Sequence, residues 1–135
     1  MPQVSGGCLC GGVRYTVTSE PTWSFLCHCR DCQRYTGSPF EAGIMFPITS
    51  VSLQGKLKTY TIPGGSGQSV HRRFCPYCGS GVVNTVDFRP DVMIVLAGTL
   101  DDPTRFSPEV EIFCDFAQPW VHSGVERPRF PKMPT

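Results

Sequence analysis

Phe25-Leu26-Cys27-His28-Cys29-Arg30-Asp31-Cys32 places three thiols within six residues, and its reading decides the fold: a chain organised around bound metal. In an extended segment Cys27 and Cys29 project to one side, because a strand repeats every two residues. A turn beginning near Arg30 brings Cys32 back towards that pair. Three sulfurs converging on one point suit a soft divalent ion, zinc first among them. By the same alternation His28 faces away from Cys27 and Cys29, which argues against it as a ligand. Zinc prefers four ligands. Three protein sulfurs therefore either keep a position for chemistry or take a fourth ligand from elsewhere in the chain.

A second cysteine group stands further along. Cys75-Pro76-Tyr77-Cys78-Gly79 is a C-x-x-C knuckle, whose tight turn lets both sulfurs face one ion and whose glycine tolerates positive φ. A redox C-x-x-C would open a helix beside a βαβ pattern, which this sequence lacks. Near the start, Gly6-Gly7-Cys8-Leu9-Cys10-Gly11-Gly12 supplies another pair between glycines. The simplest assignment joins Cys8 and Cys10 to Cys75 and Cys78 in a closed site that contributes folding free energy and no chemistry. Cys114 is left over. It either closes the Cys27, Cys29, Cys32 site or packs as a small apolar residue, and the burial typical of free cysteine favours packing.

The 135 residues fit one zinc-binding domain, 1–135, with a modest core. A net charge of +1 gives no reason to invoke nucleic acid, and no apolar run approaches the roughly 18 residues of a membrane span. Met1-Pro2-Gln3-Val4-Ser5 lacks the basic start and apolar stretch of a secretory signal, so a cytoplasmic location is expected. In that reducing compartment clustered cysteines are expected to serve as metal ligands rather than disulfides.

Thirteen prolines and fourteen glycines leave little room for long helices. Val13, Tyr15 and Val17 alternate with Arg14, Thr16 and Thr18 as a half-buried strand. Residues 40–46, 82–86, 92–97 and 110–114 read as further strands, and residues 69–74 lead into the C-x-x-C knuckle. Residues 51–62 read as a hairpin with turn residues Gln54-Gly55, broken after it by Pro63-Gly64-Gly65. Helical turns fit only residues 31–36, with Asp31 either capping them or accepting a proton beside the metal. The tail, residues 125–135, is expected to lie extended over the surface. The fold class is mainly β, a single domain with short helical turns.

Several runs together resemble a known family. They are Gly6-Gly7-Cys8-Leu9-Cys10-Gly11-Gly12-Val13-Arg14-Tyr15, Cys27-His28-Cys29-Arg30-Asp31-Cys32 and Phe74-Cys75-Pro76-Tyr77-Cys78-Gly79-Ser80. Ala97-Gly98-Thr99-Leu100-Asp101-Asp102-Pro103 and Pro119-Trp120-Val121 extend the match over almost the whole chain. The family is that of glutathione-dependent formaldehyde-activating enzymes, which includes centromere protein V. The resemblance implies a β-tent type zinc-binding fold with two Zn²⁺ per chain. It implies that Cys8, Cys10, Cys75 and Cys78 hold a structural zinc, and that Cys27, Cys29 and Cys32 hold a catalytic one. It further implies a carbon–sulfur lyase similar to S-hydroxymethylglutathione synthase, which joins formaldehyde to glutathione. Cys114 belongs to none of the family's ligand motifs, which favours an open second site.

Three thiolates outweigh the charge of Zn²⁺, so such a centre is a poorer Lewis acid than a three-histidine site and suits an incoming thiolate better than hydroxide. Nearby cations are then needed, and Arg30, Arg34, Arg72 and Arg73 are the candidates for that role and for the carboxylates of glutathione. The expected partner is a small-molecule substrate with glutathione as its thiol, not nucleic acid and not a membrane. Two other readings stand beside this one. The first is a zinc hydrolase of a small electrophile, which would turn over without thiol; the second is a non-catalytic binding module, with Cys114 closing the second site. Trp23, Phe25, Phe40, Phe46, Phe74 and Trp120 fall near the motifs and either wall a pocket or fill the core.

Overall fold

The computed structural model describes residues 3–121 and 126–134. Its strands are β1 (Val4–Gly7), β2 (Arg14–Val17), β3 (Trp23–Cys27), β4 (Glu41–Pro47), β5 (Val51–Gln54), β6 (Lys58–Pro63), β7 (Ser69–Phe74), β8 (Gly81–Val86), β9 (Arg89–Leu96) and β10 (Val110–Ile112). A single α-helix among the described residues, α1 (Arg30–Thr36), and short 3₁₀ turns complete a mainly β chain. One sheet runs β1-β2-β5, the other β10-β3-β4-β9-β8-β7-β6. The pairs are antiparallel except β10 with β3, where Val110 to Ile112 lie parallel to Phe25 to Cys27. No helix among the described residues is long and apolar enough to cross a membrane.

The alternation from Val13 onward becomes β2, whose Tyr15 and Val17 are buried. They meet Ile44 and Phe46 of β4, Val83 of β8 and Val95 of β9 in one core shared by both sheets. Between those two β4 residues, Met45 turns to the other face and joins Phe25, Val86, Ile94 and Ile112. The long sheet is therefore covered on both faces at its centre, which is why β3 and β4 carry little polar alternation. For the same reason β3 escapes a search for alternating residues, while β1 escapes it because two of its four residues are glycines.

The hairpin expected over residues 51–62 does not form. Val51 and Leu53 of β5 pair with Val17 and Tyr15 of β2, whereas β6 pairs with β7 in the other sheet. Gly55, at φ +98°, makes the break, and a Cβ there would lie 2.1 Å from the Gly12 carbonyl oxygen. The turn chemistry is local, but the strand partners are chosen by two different cores. At the other end, the strand expected through Cys114 stops at Ile112. Phe113 adopts φ +55°, and Cys114 opens a 3₁₀ turn.

The tail does more than lie over the surface. Of its residues, 125 and 135 lie outside the described residues. Within 126–134, Glu111 donates its N–H to Pro128 O, and Phe130 donates to Glu111 O, both at 2.9 Å. Cys114 N–H donates to Phe130 O at 2.9 Å as well. The segment thus runs along β10, and Phe130 packs against the second core.

Gly43 of β4 lies under the Phe25 ring: an added Cβ would sit 2.5 Å from Phe25 Cζ and 3.0 Å from Ile94 Cγ2. Gly43→Ala is expected to cost about 1–3 kcal/mol by overpacking. The measurement is a lower urea midpoint at unchanged slope. An unaltered midpoint would show that Phe25 yields without cost.

Candidate metal centres and the cavity beside them

The C-x-x-C knuckle closes as its glycine foretells. Gly79, at φ +78°, donates to Cys75 O, and Cys75 N–H donates to Ser80 O, both at 2.9 Å. Backbone donors surround the sulfurs: Val13 N–H reaches Cys8 Sγ at 3.2 Å, Gly12 N–H reaches Cys10 Sγ at 3.4 Å, and Tyr77 N–H reaches Cys75 Sγ at 3.4 Å. The side chain and backbone of Ser80 hold the Cys78 thiol down, to about 5, so it is ionised at neutral pH. The sulfurs of Cys8, Cys10, Cys75 and Cys78 all lie within 4.8 Å of one another. Cys10 Sγ stands 3.6 Å from that of Cys8 and 3.7 Å from that of Cys75. A tetrahedral ion with Zn–S of about 2.3 Å requires sulfurs about 3.8 Å apart, so this donor set fits zinc.

The other three sulfurs come from the junction of β3 and α1. Cys27 ends β3. Cys29, extended at φ −60° and ψ 153°, is the N-cap of α1, and its Sγ accepts the Cys32 N–H at 3.3 Å. The cap is therefore Cys29 and not Asp31, which lies one position inside the helix and is exposed. The three sulfurs lie within 4.8 Å of one another. Hydrogen bonds from the Cys27 and Cys32 thiols, then the Cys32 N–H and the charge of Arg72, bring Cys29 down to about 3. Hydrogen bonding within the trio and burial push Cys27 and Cys32 up. Among the described residues no histidine, carboxylate or further cysteine joins this group at that distance. An all-thiolate donor set of this kind suits zinc.

Of the four candidate arginines, the fold brings Arg72 to the trio. Its Nη2 stands 3.8 Å from Cys32 Sγ, and the residue is only 5 % exposed. Arg72 Nη1 donates to Glu41 Oε1 at 3.0 Å, and Asn84 Nδ2 donates to the same oxygen at 3.1 Å. The guanidinium carbon lies 4.9 Å from the centroid of the Tyr35 ring. Burial pushes the Glu41 carboxyl up, against the opposing pull of Arg72 and the Asn84 hydrogen bond. Arg73, next along β7, instead bonds Thr85 Oγ1 at 3.3 Å, while Arg34 is exposed. Arg30 bonds Gln33 Oε1 and lines the cavity described next. Glu41 and Asn84 were not singled out from sequence, although each is a polar residue in a strand whose other members are mostly apolar.

A cavity of about 750 Å³ opens beside the trio and is lined by Cys27, Cys29, Cys32, Glu41, Arg72 and Asn84, together with many apolar side chains. Of the aromatic candidates, Trp23 and Phe25 wall it. Phe46 is in the first core, Phe40 lies edge-on to His28 at 5.6 Å, Phe74 is half-buried, and Trp120 is exposed. Lys132, Met133 and Pro134 of the tail also line the cavity.

His28 faces away from the trio, as alternation requires, and its Nε2 lies 2.8 Å from Glu111 Oε1. Arg127 Nη1 donates to Glu111 Oε2 at 3.0 Å, and Arg129 Nη1 stands 3.5 Å from Oε1. Cys114 is half-buried and groups with His28 and Glu111, not with Cys27, Cys29 and Cys32. These contacts tie the tail to β10.

Comparison with known proteins follows the same lines. The sequence profile of the family described as "Glutathione-dependent formaldehyde-activating enzyme" matches residues 3–116. A Schizosaccharomyces pombe protein called an uncharacterized lyase is 31% identical over 80 residues, which is 59% of this chain and 56% of that protein. The chain thus matches little more than half the length of that relative. A crystal structure of a Rhodobacter sphaeroides protein superposes with a TM-score of 0.57 at 19% identity, covering 93% of this chain and 98% of the other. That likeness is one of fold.

Proposed function

Since this chain belongs to the glutathione-dependent formaldehyde-activating enzyme family, we propose that it is a zinc-dependent carbon–sulfur lyase acting on a glutathione adduct of formaldehyde or another small aldehyde. In this reading residues 1–135 form one zinc-binding domain of β-tent type, acting in the cytoplasm on a small molecule. Cys8, Cys10, Cys75 and Cys78 would hold a structural zinc, and Cys27, Cys29 and Cys32 the reacting one. The observation that carries the reading is the position of the trio: its three sulfurs line a cavity large enough for a tripeptide adduct.

A zinc ion held by three sulfurs would supply a soft electrophilic centre at which an incoming thiol is deprotonated at neutral pH. The residues around it have separate tasks. Arg72 offsets the negative charge of the thiolates from within hydrogen-bonding range of Cys32. Glu41 and Asn84 fix the guanidinium in place, and Tyr35 covers its face. Arg30 and Lys132 are exposed cations on the cavity lining, within reach of the tripeptide carboxylates. The reaction balances without a further reactant. In synthesis the S–H bond breaks, a C–S bond forms at the carbonyl carbon, and the carbonyl oxygen takes the proton as a hydroxyl.

The test is Cys29→Ser. One zinc should be lost with the fold retained, calorimetric binding of glutathione should vanish, and turnover of the adduct should fall at least about a hundredfold. Turnover of a small electrophile without any thiol would support hydrolysis instead and overturn this assignment.

A further inference from the structure

The cavity beside the trio is more apolar than a charged tripeptide carrying a one-carbon group requires. Beside the sulfurs the lining is Phe25, Met45, Ile94 and Ile112, each between 3% and 6% exposed. Further out, Phe88 and Phe116 line it while 38% and 44% exposed. The polar groups of the inner lining are few: Arg72 and Asn84 both donate to Glu41, and around them the lining is apolar. The exposed cations of the lining, Arg30 and Lys132, meet the needs of a charged tripeptide, whereas the buried Phe25, Met45, Ile94 and Ile112 match none of its charges.

We propose that the carbon joined to sulfur in the natural adduct carries an apolar group of several carbons, alkyl or aromatic, which lies against Phe25, Met45, Ile94 and Ile112. The aldehyde consumed or released is then a medium-chain or aromatic one rather than formaldehyde. This rests on the thiol-adduct reading above and adds the substrate class to it. The chemistry is unchanged: cleavage breaks the C–S bond, returns the hydroxyl proton to sulfur and releases the aldehyde.

Each methylene moved from water into such a site favours binding by about 4-fold. Calorimetric titration of the zinc-loaded protein with two inert thioethers, S-methylglutathione and S-hexylglutathione, reads this directly. The hexyl compound should bind at least about 30-fold more tightly, well within the limit set by its extra methylenes. Val70 lines the same cavity. Val70→Phe should weaken the hexyl compound about tenfold and leave the methyl compound unchanged, as the loss of one or two buried methylenes would. Equal affinities for the two thioethers in the wild type overturn the proposal while leaving the glutathione reading intact. Failure of both to bind removes the glutathione reading, and this proposal with it.

Discussion

Cys75→Ser should abolish cooperative folding, the largest effect expected from any single substitution in this chain. Cys75 is 1% exposed, and its sulfur sits among those of Cys8, Cys10 and Cys78 at the join between the start of the chain and the knuckle. Structural zinc in small cysteine-rich modules contributes about 10–16 kcal/mol of apparent binding free energy at neutral pH. Whole domains are stable by only about 5–15 kcal/mol. Losing one thiolate therefore removes a contribution as large as the net stability. Calorimetry of the variant should show no cooperative transition, and metal analysis should show loss of zinc. A sharp transition near that of the wild type would mean that the quartet is not structural. The contrast with Cys29→Ser, which should keep its fold, separates the two centres.

Arg72→Met is the second large effect, and it acts through Glu41. The carboxylate of Glu41 is buried beside Arg72 and Asn84, and removing the cation leaves it with Asn84 as its neutral hydrogen-bond partner. Breaking one partner from a buried pair costs about 3–5 kcal/mol, chiefly the penalty for the charge left behind. For a chain of this size that is a fall in Tm on the order of 10–20 °C. The double variant Arg72→Met, Glu41→Met should recover most of the loss, because no charge is then stranded. Glutathione binding should not recover with it, since the cation near Cys32 remains absent. If the double variant is as unstable as the single one, the cost lies in packing against Tyr35 and not in the stranded carboxylate.

Several features of the site were legible because they are local. The C-x-C-x-x-C spacing brings three sulfurs together through one strand end and one helical turn, and Gly79 supplies the positive φ of the knuckle. Alternation also placed His28 on the opposite side from Cys27 and Cys29, where it meets Glu111. Other features were not legible. Among Arg30, Arg34, Arg72 and Arg73 no local signal distinguishes the one that reaches the sulfurs, because its partner Glu41 lies on β4 and is held in turn by Asn84 of β8. Cys114 looked like the end of a strand, yet Phe113 at φ +55° turns the chain into a 3₁₀ turn there.

The sequence by itself determined the mainly β class, the cysteine groups and the turns that shape them, because each depends on residues within a few positions of one another. Tertiary structure alone decided that β5 and β6 part into different sheets, that the tail runs along β10, and that apolar side chains from distant strands wall the cavity beside the trio. The physical reason is that backbone turn preferences are short-ranged. A strand's partner and a cavity's lining, by contrast, follow from which apolar faces can be buried together across the whole chain.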